Sequence, residues 1–228
     1  MRSEKQLVKL IEDGWLQEGE KLQRYGGGDR ERVHFGSTIG GRHQAPYQPT
    51  RPPAHSFDVD LGDVLYPSAP VQQGRFHGDE WVHDPTIRGW VQADSPERAA
   101  VECADLLVAG GPEAWFISTD RRIAVVVDAS VVGKAEPQED EEQGESSKGF
   151  GRFLGKARSA VSAVTELSES LIGGVELVTL WECPPERFTA MAEDLKGRST
   201  AGSGFSINRF ADGSVIEVST KIHLKGFM

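Results

Sequence analysis

Ala114-Trp115-Phe116-Ile117-Ser118-Thr119-Asp120-Arg121-Arg122-Ile123-Ala124-Val125-Val126-Val127 is the stretch that decides the fold. Two apolar runs, β-branched and aromatic, flank a polar turn, the pattern of a buried antiparallel hairpin. Toward the C-terminus, Val175 to Trp181 is a third such run, closed by Cys183-Pro184-Pro185. Pro185 is placed to open a short helix to about Lys196, because its fixed φ suits a first helical turn. Phe205 to Phe210 and Val215 to Leu224 flank Asp212-Gly213, whose glycine accepts the positive φ of a tight turn. In the last strand Ile216, Val218, Thr220, Ile222 and Leu224 share one face, expected in the core. Glu217, Ser219, Lys221 and His223 share the other, expected in water.

Toward the N-terminus, Asp94-Ser95-Pro96-Glu97 supplies a helix-capping acceptor, a proline for the first turn and an acid near the positive helix end. The helix it opens should run to about Ala109 and stop at Gly110-Gly111. Trp81, Val82, Ile87, Trp90 and Val91 suggest short strands around Asp84-Pro85, and Phe57-Asp58-Val59-Asp60-Leu61 alternates as a strand does. Residues 26–53 are rich in Gly, Pro, His and Arg and read as extended chain, ordered where they lie on the domain. Leu7, Leu10, Ile11 and Trp15 carry a helical spacing broken by Gly14, so a helix is expected from about Glu4 to Asp13, followed by a looser turn or strand.

The second and third apolar runs are separated by a long insertion. Glu136-Pro137-Gln138-Glu139-Asp140-Glu141-Glu142-Gln143-Gly144-Glu145 is too acidic and too poor in apolar residues to fold alone and reads as a disordered linker over 135–148. Phe150, Phe153, Leu154, Ala157, Val161, Val164, Leu167 and Leu171 then recur at three- and four-residue spacing, an amphipathic helix over 150–172. Its bases, Arg152 and Lys156 among them, stand in the N-terminal half, against the preference of the helix dipole. A basic amphipathic helix can lie on an anionic membrane. The eight acids between Glu136 and Gly174 oppose only four bases, and the helix is expected to pack on the sheet.

The 228 residues include 26 Gly and 12 Pro, many of them in the first third, so the core is expected mostly beyond residue 60. The division expected is a helical segment over 1–25, an extended segment over 26–56 and a sheet domain over 57–228. A formal charge of −10 disfavours a phosphate backbone as partner, so nucleic acid is not expected. Cys103 and Cys183 form neither a CxxC pair nor a disulfide framework, which fits a reduced, cytoplasmic setting. The N-terminus does not read as a secretory signal, and no run approaches the ~20 apolar residues of a membrane span.

Chemistry-bearing patterns are sparse. His77 and His83 are six apart, with Asp79, Glu80 and Asp84 beside them, but lack a spacing that fixes two metal ligands on one face. No Gly-x-Ser-x-Gly elbow supports a hydrolytic triad, and Gly26-Gly27-Gly28 does not join a strand to a helix as a phosphate loop does. No catalytic residue, metal or cofactor is assigned. Arg121 and Arg122 at the hairpin turn can grip an anion, since a guanidinium pairs bidentately with carboxylate or phosphate, although a solvated turn is the commoner reason for such residues. Together with Arg152 and Lys156 they are the candidate anion or partner contacts.

The run from Ala114 to Val126 resembles the hairpin of bacterial pleckstrin-homology-like and GRAM-like domains, an apolar strand, Thr-Asp-x-Arg and a second apolar strand. Val178-Thr179-Leu180-Trp181-Glu182 and Phe210-Ala211-Asp212-Gly213-Ser214 are similar to the sheet elements that follow it in that family. The whole chain also resembles a group of actinobacterial proteins, a likeness that brings no activity with it. The resemblance spans about Gly111 to Leu224. It implies an α+β fold, a bent antiparallel sheet carrying the long helical insertion and the N-terminal extension. Such a sheet ordinarily ends in a capping helix, which the residues after Ile222 do not supply, and the helix at 150–172 is expected to take that place. The function implied is a non-enzymatic interaction module, binding a protein partner or an acidic head group and able to meet an anionic membrane peripherally. The alternative is a small-molecule-modifying enzyme or metal-binding protein with its site in the His-rich segment 34–84.

Overall fold

A computed structural model describes residues 4–53, 56–57, 59, 64–132, 177–195 and 204–222. The acidic run over 135–148, the helix expected at 150–172 with Arg152 and Lys156, and the strand residues past Ile222 lie outside the described residues.

The protein is α+β and mostly sheet. Helix α1 (Glu4–Leu10) runs into a wider π-type turn at Ile11–Trp15 that contains Gly14, so regular α-helix ends earlier than the expected Asp13. Strands β1 (Leu22–Gly26), β2 (His34–Ile39) and β3 (Arg42–Gln44) follow, then a single turn α2 (Ala69–Gln72), β4 (Ile87–Ala93) and helix α3 (Ala99–Ala109). The remaining strands are β5 (Trp115–Thr119), β6 (Ile123–Asp128), β7 (Leu177–Cys183), β8 (Phe188–Leu195), β9 (Gly204–Phe210), β10 (Val215–Ser219) and β11 (Lys221–Ile222).

Where one bent sheet is expected, the strands form two. One has the order β11-β1-β5-β6-β7 and the other β3-β2-β4-β10-β9-β8. Neighbours are antiparallel except β2 and β4, which run parallel. The extended segment after residue 26 therefore enters the sheet, with β2 lying between β3 and β4. The last hairpin strand is split at Thr220: β10 belongs to the six-stranded sheet and β11 to the five-stranded one, so the chain changes sheets there.

The expected β5–β6 hairpin is present, with Trp115 opposite Val126 and Ser118 opposite Ile123. Its strict alternation sorts its side chains. Phe116, Ile123, Val125 and Val127 enter the central core with α3, Phe35, Val91, Ile216 and Val218. Trp115, Ile117, Ala124 and Val126 face the other way, under Leu7 of α1 and Ile11 of the π-type turn. Each Val, Ile or Phe side chain so removed from water contributes about 1.5–3 kcal/mol. A third cluster covers the outer face of the six-stranded sheet, where Val71, Trp81 and Val82 pack on Ile87, Trp90 and Phe205. Around Asp84-Pro85 a short 3-10 turn at Glu80–His83 precedes β4, so only one of the expected strands forms there.

Two further expectations are corrected. The helix expected from Pro185 to about Lys196 is one 3-10 turn, Pro185–Arg187, followed by β8, which pairs along β9 from Phe188 opposite Phe210 to Leu195 opposite Gly204. Ala190, Met191, Ala192 and Glu193 favour a helix, but the unpaired edge of β9 offers a ladder of hydrogen bonds that outweighs so weak a preference. The other correction concerns the start of α3. Asp94 does not cap it; its carboxylate pairs with Arg98 at 2.5 and 2.6 Å. The first-turn amides of Ala99 and Ala100 instead donate to Asp212 Oδ2 (2.8 Å) and Ser214 Oγ (3.1 Å), both in the β9–β10 turn. The hairpin tip thus satisfies orphan donors that the local sequence leaves open.

Candidate functional site

The hairpin turn that carries the two candidate arginines is internally committed. Arg122 meets Glu20, a carboxylate with no solvent exposure, in a two-point pair of Nε to Oε1 at 3.0 Å and a terminal nitrogen to Oε2 at 3.1 Å. It also donates to Glu182 at 2.7 Å and lies 4.1 Å from the centre of the Trp15 ring. Arg121 donates to the Glu18 carbonyl at 3.1 Å. Burial would raise the Glu20 carboxyl, but hydrogen bonds from Arg122, Thr119 and the Gln17 amide hold it below the usual carboxylate range.

In the His-rich segment the described imidazoles make separate contacts. His34 faces the Leu65 carbonyl at 3.0 Å, and burial pulls its pKa down. His43 lines a hollow of about 650 Å³ over β2 and β3, but its Nε2 sits 2.8 Å from the Val71 carbonyl and its ring packs against Phe76 and Trp90. His77 and His83 are exposed. Asp84 is buried and accepts from the Ser68 amide (2.7 Å) and from the Thr86 hydroxyl (2.7 Å) and amide (3.0 Å). Among the described residues no group of three or more His, Cys, Asp or Glu, His77, Asp79, His83 and Asp84 included, is arranged to hold a metal.

The cavity with the most chemistry lies at the corner where the chain changes sheets. It measures about 530 Å³, a size that suits a small ligand, and is bounded by the loop from Gly26 to Arg32, by Ser219–Lys221, and by Glu4, Tyr25, Arg88 and Trp115. The loop can pass this close because Gly27 and Gly28 have no side chains: a Cβ would stand 2.7 and 2.5 Å from Trp115 ring atoms, and both residues have positive φ. Asp29 steadies the loop by accepting from the amides of Glu31 (2.9 Å) and Arg32 (3.2 Å).

Arg88 is the unusual member. It sits on β4 with 3% of its surface exposed and reaches across to the five-stranded sheet, donating to the carbonyls of Gly26 (2.8 Å), Ala114 (2.8 Å) and Gly111 (3.2 Å). Those dipoles solvate the cation, but no carboxylate pairs with it among the described residues, and its buried Nε has no hydrogen-bond partner. Burial pushes its pKa down to about 10, which leaves it charged at neutral pH. Leaving a buried cation without a counter-charge costs several kcal/mol. On the rim, Glu4 accepts from Tyr25 Oη at 2.8 Å and pairs with Lys221. The Lys221 bond holds the Glu4 carboxyl low, while burial and the donation to Glu4 push Tyr25 up to about 12. The guanidinium groups of Arg30 and Arg32 make no hydrogen bond or ion pair among the described residues.

None of this lining stands out as a catalytic pattern in the sequence. The one legible signal is Arg88 itself, a lone base in the otherwise apolar run Ile87-Arg88-Gly89-Trp90-Val91. No helix among the described residues is long and apolar enough to cross a membrane. Neither a protein-family model, nor a curated protein, nor a solved structure matches the chain.

Proposed function

We propose that the chain is a non-enzymatic interaction module, built on sheets of the pleckstrin-homology-like kind, that receives an acidic group of a protein partner in the cavity at the sheet corner. One observation carries this reading: in a chain of net charge −10, Arg30, Arg32, Arg88 and Lys221 gather around a single cavity. Such a local reversal of sign attracts and orients an acidic partner against the field of the whole molecule.

The test is fluorescence anisotropy of the whole chain with labelled Glu-rich and Lys-rich peptides at low and physiological salt. The module should bind the acidic peptide, more weakly as salt rises, and the Arg30→Glu, Arg32→Glu double variant should lose that binding while keeping its melting temperature. Equal binding of both peptides, or acidic binding that survives the double reversal, would overturn the reading.

A further inference from the structure

The geometry points to a carboxylate pocket, in which the cavity over Arg88 takes a single carboxylate group borne by an organic body of modest size. This rests on the proposed function and narrows it from acidic groups in general to one ligand chemistry. Three observations carry it. The lining has four bases against three acids, Glu4, Asp29 and Glu31, so the charge left over suits one negative charge better than two. Asp29 spends its carboxylate on its own loop and Glu4 on Tyr25 and Lys221, while the Arg88 donations all go to backbone carbonyls, so no described lining acid pairs with Arg88. The rim also already holds a carboxylate: Glu4 sits between a phenol donor and an ammonium, an arrangement that recognises that group by charge-assisted hydrogen bonding.

Glu4 is then an internal competitor. A ligand carboxylate entering the cavity meets Tyr25 and Lys221 with Glu4 in place, and gains both donors only when Glu4 withdraws. Arg88 provides the fixed positive field behind them, held by three backbone carbonyls so that it does not have to move when the ligand arrives. The volume of about 530 Å³ leaves room for several heavy atoms beyond the carboxylate, next to the Trp115 indole.

The experiment is an amide-resolved NMR titration of the full chain with benzoate, with a short apolar peptide ending in a free carboxylate, with the same peptide amidated, and with inorganic phosphate. Benzoate or the free-acid peptide should shift the amides of Gly26–Arg32 and Ser219–Lys221, and the amidated peptide should not. Binding of the free-acid peptide but not benzoate assigns the carboxylate to a chain terminus, and the reverse assigns it to a small acid. Glu4→Gln, which removes the competitor from a partly exposed position, should tighten binding several-fold. Arg88→Gln should weaken it at least about tenfold, the worth of roughly 1.4 kcal/mol. Because Arg88 also joins the two sheets, Lys221→Gln serves as the second variant if Arg88→Gln does not fold, with loss of binding expected at an unchanged melting temperature. Shifts produced by phosphate alone, or carboxylate binding indifferent to Glu4→Gln and Lys221→Gln, would overturn the carboxylate pocket while leaving the acidic-partner reading intact. That broader reading falls only with its own charge-reversal test.

Discussion

Replacing Arg122 with leucine keeps an apolar side chain over Trp15 and removes every donor that Glu20 receives from the guanidinium. Glu20 would remain buried, with the Thr119 hydroxyl (2.6 Å) and the Gln17 amide (2.9 Å) as its remaining donors and no cation. A buried pair broken on one side costs about 3–5 kcal/mol, whereas an exposed pair such as Lys9 with Asp13 is worth about 0–1 kcal/mol. At roughly 2–4 °C per kcal/mol for a chain of this size, the melting temperature should fall by about 6–20 °C. The pH dependence separates this cause from lost packing. In the natural chain the Glu20 carboxyl lies below its unfolded value of about 4.3, so it contributes stability above that pH and loses it as the pH falls through the lower folded value. In Arg122→Leu burial is offset only by Thr119 and Gln17, so the folded carboxyl should rise above the unfolded one and acidification should restore part of the stability. Urea denaturation followed by tryptophan fluorescence should therefore show a deficit that is large at pH 8 and narrower at pH 5. Adding Glu20→Gln to Arg122→Leu should recover part of it. A deficit below about 1 kcal/mol, or one of equal size at both pH values, would show that solvent screens the pair and refute the reasoning.

Asp212→Ala removes the acceptor for the Ala99 amide at the start of α3 and should cost about 0.5–2 kcal/mol by urea denaturation, with Asp212→Asn recovering most of it. Gly213 has φ of 84° with nothing within 4 Å of a Cβ position, so Gly213→Val should cost about 1–3 kcal/mol through backbone strain alone, and Gly213→Asn markedly less. An unchanged denaturation midpoint for Gly213→Val would remove the turn from the account.

The hairpins were legible because their information is local. The alternation in β5 and β6 and the Asp212-Gly213 turn are each written in a short run of neighbouring residues. The failures are those in which a distant partner decides. Ala190 to Glu193 extend because β9 lies beside them. The first turn of α3 is capped by residues more than a hundred positions away, so the nearby Asp94 was a false local signal. Glu217, expected in water from its alternation with Ile216 and Val218, is buried, standing between Trp90 and Ile207 of the two neighbouring strands. At the candidate site, a lone arginine in a buried strand is visible in the sequence, but its proximity to Gly26, Ala114, Tyr25 and Lys221 depends on the way two sheets meet.

The order of strands also governs how this chain can be made. β1 pairs on one side with β5, about ninety residues later, and on the other with β11, about two hundred residues later; β4 waits for β10 before its second edge is filled. At a synthesis rate of roughly 5–20 residues per second, the β1–β11 edge stays open for about 10–40 s after β1 has been made. Contacts this remote in sequence also slow folding itself, because the entropy of closing long loops is spent before the pairing repays it. Neither sheet can be completed from one half of the chain, so the nascent protein carries apolar strands with one open edge, β1 and β4 among them, through much of its synthesis. Their protection falls to the ribosome and to whatever chaperones attend it until β10 and β11 are made.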